Sequence, residues 1–202
     1  MLYTLNEHVH KKYLNGSAIK GAPMPKLIEN VRTRALEAAK NELLVSDYNG
    51  FTIRSVAKRC GIAVGTLYNY FPSKDMLAAA VMLQDWTKAL AVMRQSATRS
   101  QNILDGLQTI YEEIERFASV YRNVWSQYSL TSQFASDYSD RHQLLLNQLA
   151  AIIHDLLANF QADEDQVLDR FVAENLLMAA VNQTPYQPLA VLLNRLFIIK
   201  KR

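Results

Sequence analysis

The stretch Phe51–Lys74, FTIRSVAKRCGIAVGTLYNYFPSK, decides how this chain reads. Ile53–Cys60 forms a short predicted helix, and Thr52 stands where a capping hydroxyl is wanted. Gly61 breaks that helix. An abrupt helix end puts the next residue at positive φ, where only glycine escapes a steric cost. A second short helix is predicted over about Val64–Phe71, stopped by Pro72-Ser73. Val56 and Ala57 before the turn, and Ile62 and Leu67 after it, can pack the two helices together. This is a helix-turn-helix layout. Its second helix, roughly 12 Å long at 1.5 Å per residue, fits a major groove about 12 Å wide.

The second helix carries little that a core needs. Thr66, Tyr68, Asn69 and Tyr70 crowd into five positions. Thr and Tyr hydroxyls suit phosphate oxygens, and Asn pairs bidentately with adenine. Gly65 allows a close backbone approach to a duplex. Thr52 and Arg54 open the preceding helix, where free N–H groups and the positive dipole end favour phosphate. The alternative for Tyr68 and Tyr70 is structural, as half-buried aromatics under the next helix.

Outward from this core the chain reads as helical. Residues 1–25 show no sustained period and read as an irregular leader, with Gly16, Gly21, Pro23 and Pro25. Residues 26–46 place Ile28, Val31, Ala35, Ala38 or Ala39, and Leu43 at helical spacing, and Asp47-Tyr48-Asn49-Gly50 stops that helix. Ser73 caps a long helix of about Lys74–Gln95, with Asp75 in its first turn. Further helices are expected at about 101–120, 123–135, 139–160, 164–182 and 187–200. The last, Leu189–Ile199, is apolar nearly all round, so it is buried on more than one side.

Composition narrows the classes. Of 202 residues, 50% are hydrophobic and 20% charged, an ordinary globular balance. Six Gly and five Pro are few for a sandwich, a barrel or a doubly wound sheet. One cysteine allows neither an internal disulfide nor a Cys-rich zinc site. No uninterrupted apolar run approaches the roughly 18 residues of a membrane span, and no secretory signal opens the chain. A cytoplasmic location without membrane association is the expectation. Residues 1–95 carry 13 Lys+Arg against 7 Asp+Glu, whereas residues 96–202 carry 9 against 12. A basic first half on an acidic remainder points to a polyanion partner for the first half.

The run Thr52–Lys74 resembles the DNA-binding region of TetR-family transcriptional regulators. GTLYNYFPSKDML (65–77) is its most specific part, and AAK…GFTIRSVAKRCGI fits the same pattern. The resemblance covers about residues 26–80. It implies an all-α homodimer, with a three-helix DNA-binding domain over 26–80 and a helical ligand-binding and dimerisation domain over 81–202. It implies DNA contacts from Thr52, Arg54, Val64, Gly65, Thr66, Tyr68, Asn69, Tyr70 and Lys74, the last holding phosphate. It departs at Ala63, where a capping Ser is frequent, and at Val64, whose apolar side chain suits a thymine methyl. The implied function is a repressor released from a pseudo-palindromic operator by a small-molecule effector. The alternative is a TetR-like regulator that answers to a protein partner instead.

Other candidates are weaker. Tyr111, Trp125, Tyr128 and Phe134 are either core or the lining of an effector pocket. Phe171, Met178, Leu189, Leu193, Leu196 and Phe197 are the expected dimer seam, formed by residues 164–200 as half of a four-helix bundle. Cys60 reads as a buried, inert thiol. His8 and His10 have no third ligand near in sequence, and His142 and His154 lie too far apart on one helix to share an ion. No Gly-rich phosphate loop, HExxH or GxSxG is present, so no enzyme chemistry, cofactor or metal is expected.

Overall fold

The computed structural model describes residues 26–128, 132–162 and 166–199. Among these residues the chain is all-α, with eight helices and no strand: α1 Lys26–Gly50, α2 Ile53–Cys60, α3 Val64–Tyr70, α4 Lys74–Arg99, α5 Ile103–Tyr128, α6 Ser132–Asn159, α7 Gln166–Val181 and α8 Tyr186–Ile199. They divide into two compact units. One runs through Gln84 and takes in Asn123–Ser136. The other comprises Asp85–Arg122 and the chain from Asp137 on. The leader 1–25, with His8 and His10, lies outside the described residues.

The first unit is built on aliphatic residues interleaved with alanines and closed by aromatics. Ala35, Leu36, Ala39 and Leu43 of α1, Ile53, Val56 and Ala57 of α2, Leu67 of α3, and Leu77, Ala78 and Val81 of α4 are buried. Phe51 and Phe71 close the core at the two junctions. Burying a side chain such as Phe51 or Leu67 is worth about 1.5–3 kcal/mol. The expected stop at Asp47 is a kink. Asp47 sits at φ 57°, ψ 177° within α1, and one further turn carries Tyr48 inward.

The second unit packs the rest of α4 and α5 with α6, α7 and α8. Trp86 donates to Gln148 at 2.8 Å and packs at a tilt against Phe117, with ring centroids 5.1 Å apart. Tyr121 donates to Asp85 at 2.6 Å. Gly106 lets α5 and α6 meet closely, since a Cβ there would lie 2.5 Å from Leu156 Cδ1. α4 is the one described helix that is long and apolar enough to cross a membrane, with a mean hydropathy of 1.2 over its best 18-residue window. Five of its large apolar residues serve the core: Leu77, Val81, Trp86, Leu90 and Met93 are buried.

Two boundaries differ from the sequence expectation. Residues 101–120 and 123–135 do not form separate helices. α5 runs unbroken to Tyr128, because no Gly or Pro stands between Leu107 and Tyr128 and the buried stripe of Leu107, Ile110, Ile114, Phe117, Tyr121 and Val124 continues at helical spacing. α6 correspondingly begins at Ser132 rather than near 139.

Candidate nucleic-acid interface

Three short backbone devices shape the helix-turn-helix. Thr52 caps α2, its Oγ1 accepting from the Ser55 N–H at 3.0 Å. Gly61 takes the left-handed conformation at φ 65°, and its N–H and that of Ile62 return to Lys58 and Ala57 carbonyls. Ala63 stands at the N-cap of α3 with no side-chain cap bond. A Ser there is worth roughly 0.5–2 kcal/mol more.

α3 exposes almost everything it carries. Leu67 is its single buried residue. Gly65, Thr66, Tyr68 and Asn69 are exposed, Tyr68 at 47%, while Val64 and Tyr70 are half-buried. A Cβ on Gly65 would meet nothing within 4 Å, so the fold itself makes no demand for glycine there. Thr52 and Arg54 are exposed at the start of α2, and Lys74 is half-buried at the start of α4. Every residue singled out for DNA contact therefore lies in the first unit, on three consecutive helix starts or on α3 itself.

The cation Lys74 is placed rather than loose. Its Nζ lies 4.2 Å from the centroid of the Tyr48 ring, and desolvation lowers its pKa against the opposing pull of Asp75. Ser73 caps α4 through the Met76 N–H at 3.1 Å. Sequence reasoning missed Arg32, whose guanidinium sits 5.8 Å from the Phe71 ring at the end of α3. It also missed Arg34, which donates to the Cys60 carbonyl at 2.7 Å and so caps α2. The basic excess of the first half was the available signal for both. Cys60 is buried, and burial raises its thiol pKa while Arg34 and Arg59 oppose the shift.

In the second unit, Tyr111 is buried. It donates to the Thr184 carbonyl at 2.7 Å and packs against Tyr186 at 5.4 Å. Trp125 is half-buried, and the side chains of Tyr128 and Phe134 lie outside the described residues. An open groove of about 540 Å³ is lined by Glu112, Glu115, Arg116, Ser119, Arg122 and Gln183. The expected seam residues separate by environment. Phe171 (56%) and Met178 are exposed, Leu189, Leu196 and Phe197 are half-buried, and Leu193 is 1% exposed inside its own subunit. His142 and His154 each pair with an α7 carboxylate, Glu174 at 3.1 Å and Asp169 at 2.9 Å. Among the described residues no group of three or more His, Cys, Asp or Glu could hold a metal ion.

Comparison with known proteins bears on this arrangement. Residues 35–81 match the profile of bacterial regulatory proteins, tetR family. The chain is 28% identical over 106 residues to the HTH-type transcriptional regulator UidR of Escherichia coli K12, covering 52% of this chain and 50% of that one. It is 26% identical over 141 residues to the HTH-type transcriptional repressor KstR of Mycobacterium tuberculosis, covering 69% and 62%. The matches thus span about half to three-fifths of these relatives' length. A solved structure of a Pseudomonas aeruginosa PAO1 protein described as a transcriptional regulator shares the fold, with a TM-score of 0.53, 14% identity, and coverage of 85% and 90%. The family and these relatives are regulators of transcription, not enzymes.

Proposed function

We propose, from the match of residues 35–81 to the profile of bacterial regulatory proteins of the tetR family, that the chain is a cytoplasmic, homodimeric repressor that reads a pseudo-palindromic operator through α3. The observation that carries the reading is the outward face of α3, where Gly65, Thr66, Tyr68 and Asn69 are all exposed while Leu67 alone anchors the helix. Asn69 reads a base edge, Thr66 and Tyr70 hold phosphate, and Gly65 leaves room for the duplex. Two such heads related by a two-fold axis meet successive major grooves, so operator symmetry mirrors protein symmetry.

The exposed stripe on α7 supports the dimer. Val167, Phe171, Met178 and Val181 fall at helical spacing, and Val191 and Leu192 of α8 are exposed as well. A second copy of the same helix pair covers these side chains. Leu193 belongs to the subunit's own core in this reading, so Phe171 and Leu192 are the residues whose change separates dimers from folding.

A small molecule bound within residues 81–202 releases the operator by favouring a head spacing that no longer fits the grooves. α4, which runs continuously from Lys74 to Arg99, is the covalent link. A specific observation also keeps the second reading, release by a protein partner. Tyr111 is committed to the core, and the groove described above is open and lined by charge. Anisotropy of a labelled duplex of random sequence tests the DNA reading directly. Binding that is lost in the double variant Thr66→Ala/Tyr68→Ala, with helicity intact by circular dichroism, is the expected result. Unchanged binding refutes the assignment of α3.

A further inference from the structure

Tyr48 is 5% exposed, and both parts of its side chain meet the first turn of α4. Its ring face holds the Lys74 ammonium at 4.2 Å, and its hydroxyl donates to Asp75 Oδ1. The turn that delivers Tyr48 is costly, because Asp47 at φ 57°, ψ 177° occupies a region that is essentially glycine's own. Neither contact is needed to start α4, which Ser73 already caps. Ordering a lysine side chain costs up to roughly 2 kcal/mol of rotamer freedom. A lysine serving only as solvated surface charge would not be laid on an aromatic face at that cost.

We propose that Tyr48 is a positioning residue for phosphate binding: its ring face presets the Lys74 ammonium, and its hydroxyl engages the Asp75 carboxylate, so that the first turn of α4 meets one DNA phosphate already arranged. The inference rests on the DNA-binding reading above. An ammonium carries three donors, and the ring covers only one side of it. A cation already held in place loses less freedom on contact. The hydrogen bond from Tyr48 fixes the Asp75 carboxylate, the one acidic group in that turn, beside Lys74.

The test uses the full chain and a fluorescein-labelled duplex of random sequence, titrated at roughly 50 to 200 mM salt. Lys74→Ala is expected to flatten the slope of log K against log salt by about 0.9 for the phosphate lost. Tyr48→Leu is expected to weaken binding roughly two- to fivefold, the size of an exposed cation–π contact, and to flatten the slope in part. In the Lys74→Ala background the same change should alter neither. Tyr48→Phe keeps the ring and should keep the slope.

A loss from Tyr48→Leu that is equal in both backgrounds overturns the proposal, as does a slope in Tyr48→Phe as flat as that of Lys74→Ala. Wild-type affinity and slope in Lys74→Ala would remove the phosphate role of Lys74, and the proposal with it. Failure of the wild-type chain to bind duplex would instead refute the DNA-binding reading itself. Where Tyr48→Leu does not fold, Tyr48→Phe and one spectroscopic signature carry the test. The dimethyl resonance of reductively methylated Lys74 should be shifted upfield by the Tyr48 ring in the native protein, and an unshifted resonance overturns the placement.

Discussion

Gly65→Ala separates what α3 needs to fold from what it needs to bind. Gly65 is the second residue of a seven-residue helix, is exposed, and has open space where a Cβ would stand. The substitution removes a glycine penalty of about 0.5–1 kcal/mol in a helix and adds no clash within the chain. The melting temperature should therefore rise by about 1–4 °C for a chain of this size. Bound to a duplex, the same methyl group occupies the space left for the DNA backbone. Forcing extra bulk into a close-packed contact costs about 1–3 kcal/mol, or roughly 5- to 150-fold in affinity. Differential scanning calorimetry reads the first effect, and anisotropy of a labelled duplex the second. A variant that is more stable and binds equally well refutes the close approach at Gly65. A variant that is less stable refutes the inference drawn from the open space.

Asp47→Gly should stabilise the first unit by about 1–3 kcal/mol by removing the strain at φ 57°, and an unmoved urea midpoint would show that no strain was stored. Phe171→Glu with Leu192→Glu puts two unpaired charges into the expected seam at a cost of several kcal/mol. Sedimentation should show a folded monomer with weakened duplex binding, and a dimer persisting at micromolar concentration would place the interface elsewhere. Burial raises the Tyr186 pKa from 10.0 to about 12, with Asp105 and Glu112 adding to the shift. A phenol whose folded pKa is raised contributes stability that is complete below its unfolded pKa and lost as pH rises through the folded one. Thermal melts should therefore fall between pH 10 and pH 12, together with late tyrosinate absorbance, and normal titration of all tyrosines near pH 10 would contradict the burial.

The helix-turn-helix was legible because each of its breaks is set by a residue type with one local meaning. Gly61 supplies a left-handed residue, Thr52 a capping oxygen, and Pro72-Ser73 an end followed by a new cap. The second half offered no such punctuation between Tyr121 and Tyr128, and the aromatic density there suggested a break that the buried stripe of α5 bridges. Whether an apolar residue faces its own core or another surface is also invisible to periodicity. Leu192 and Leu193 are neighbours in one helix of leucines, yet the first is exposed and the second fully enclosed. Tyr48 escaped for a related reason. Its partners are 26 and 27 residues away in sequence, and Asn49 and Gly50 after it announced only a turn.

Three locally unfavourable choices lie within nineteen residues of one another: the strained Asp47, the uncapped Ala63 and the exposed helical glycine at 65. Each could be relieved by one substitution without disturbing a buried contact, and each borders the surface assigned to DNA. Sequences that specify a fold break local rules chiefly where function requires it. The energetic consequence falls on α3, which is seven residues long, retains one buried anchor in Leu67, and lacks a side-chain cap. Its opening free energy should sit well below that of α5, whose buried face runs from Leu107 to Val124. Native-state hydrogen exchange on the free protein should show α3 amides exchanging by local opening, at least tenfold faster than those at the centre of α5, a difference of about 1.4 kcal/mol. Duplex DNA should slow the α3 amides selectively, since a ligand that binds only the closed helix stabilises it by mass action. Equal protection of α3 and α5 in the free protein would mean that these three choices carry no local cost. Protection by DNA that spared α3 would move the reading surface to another element.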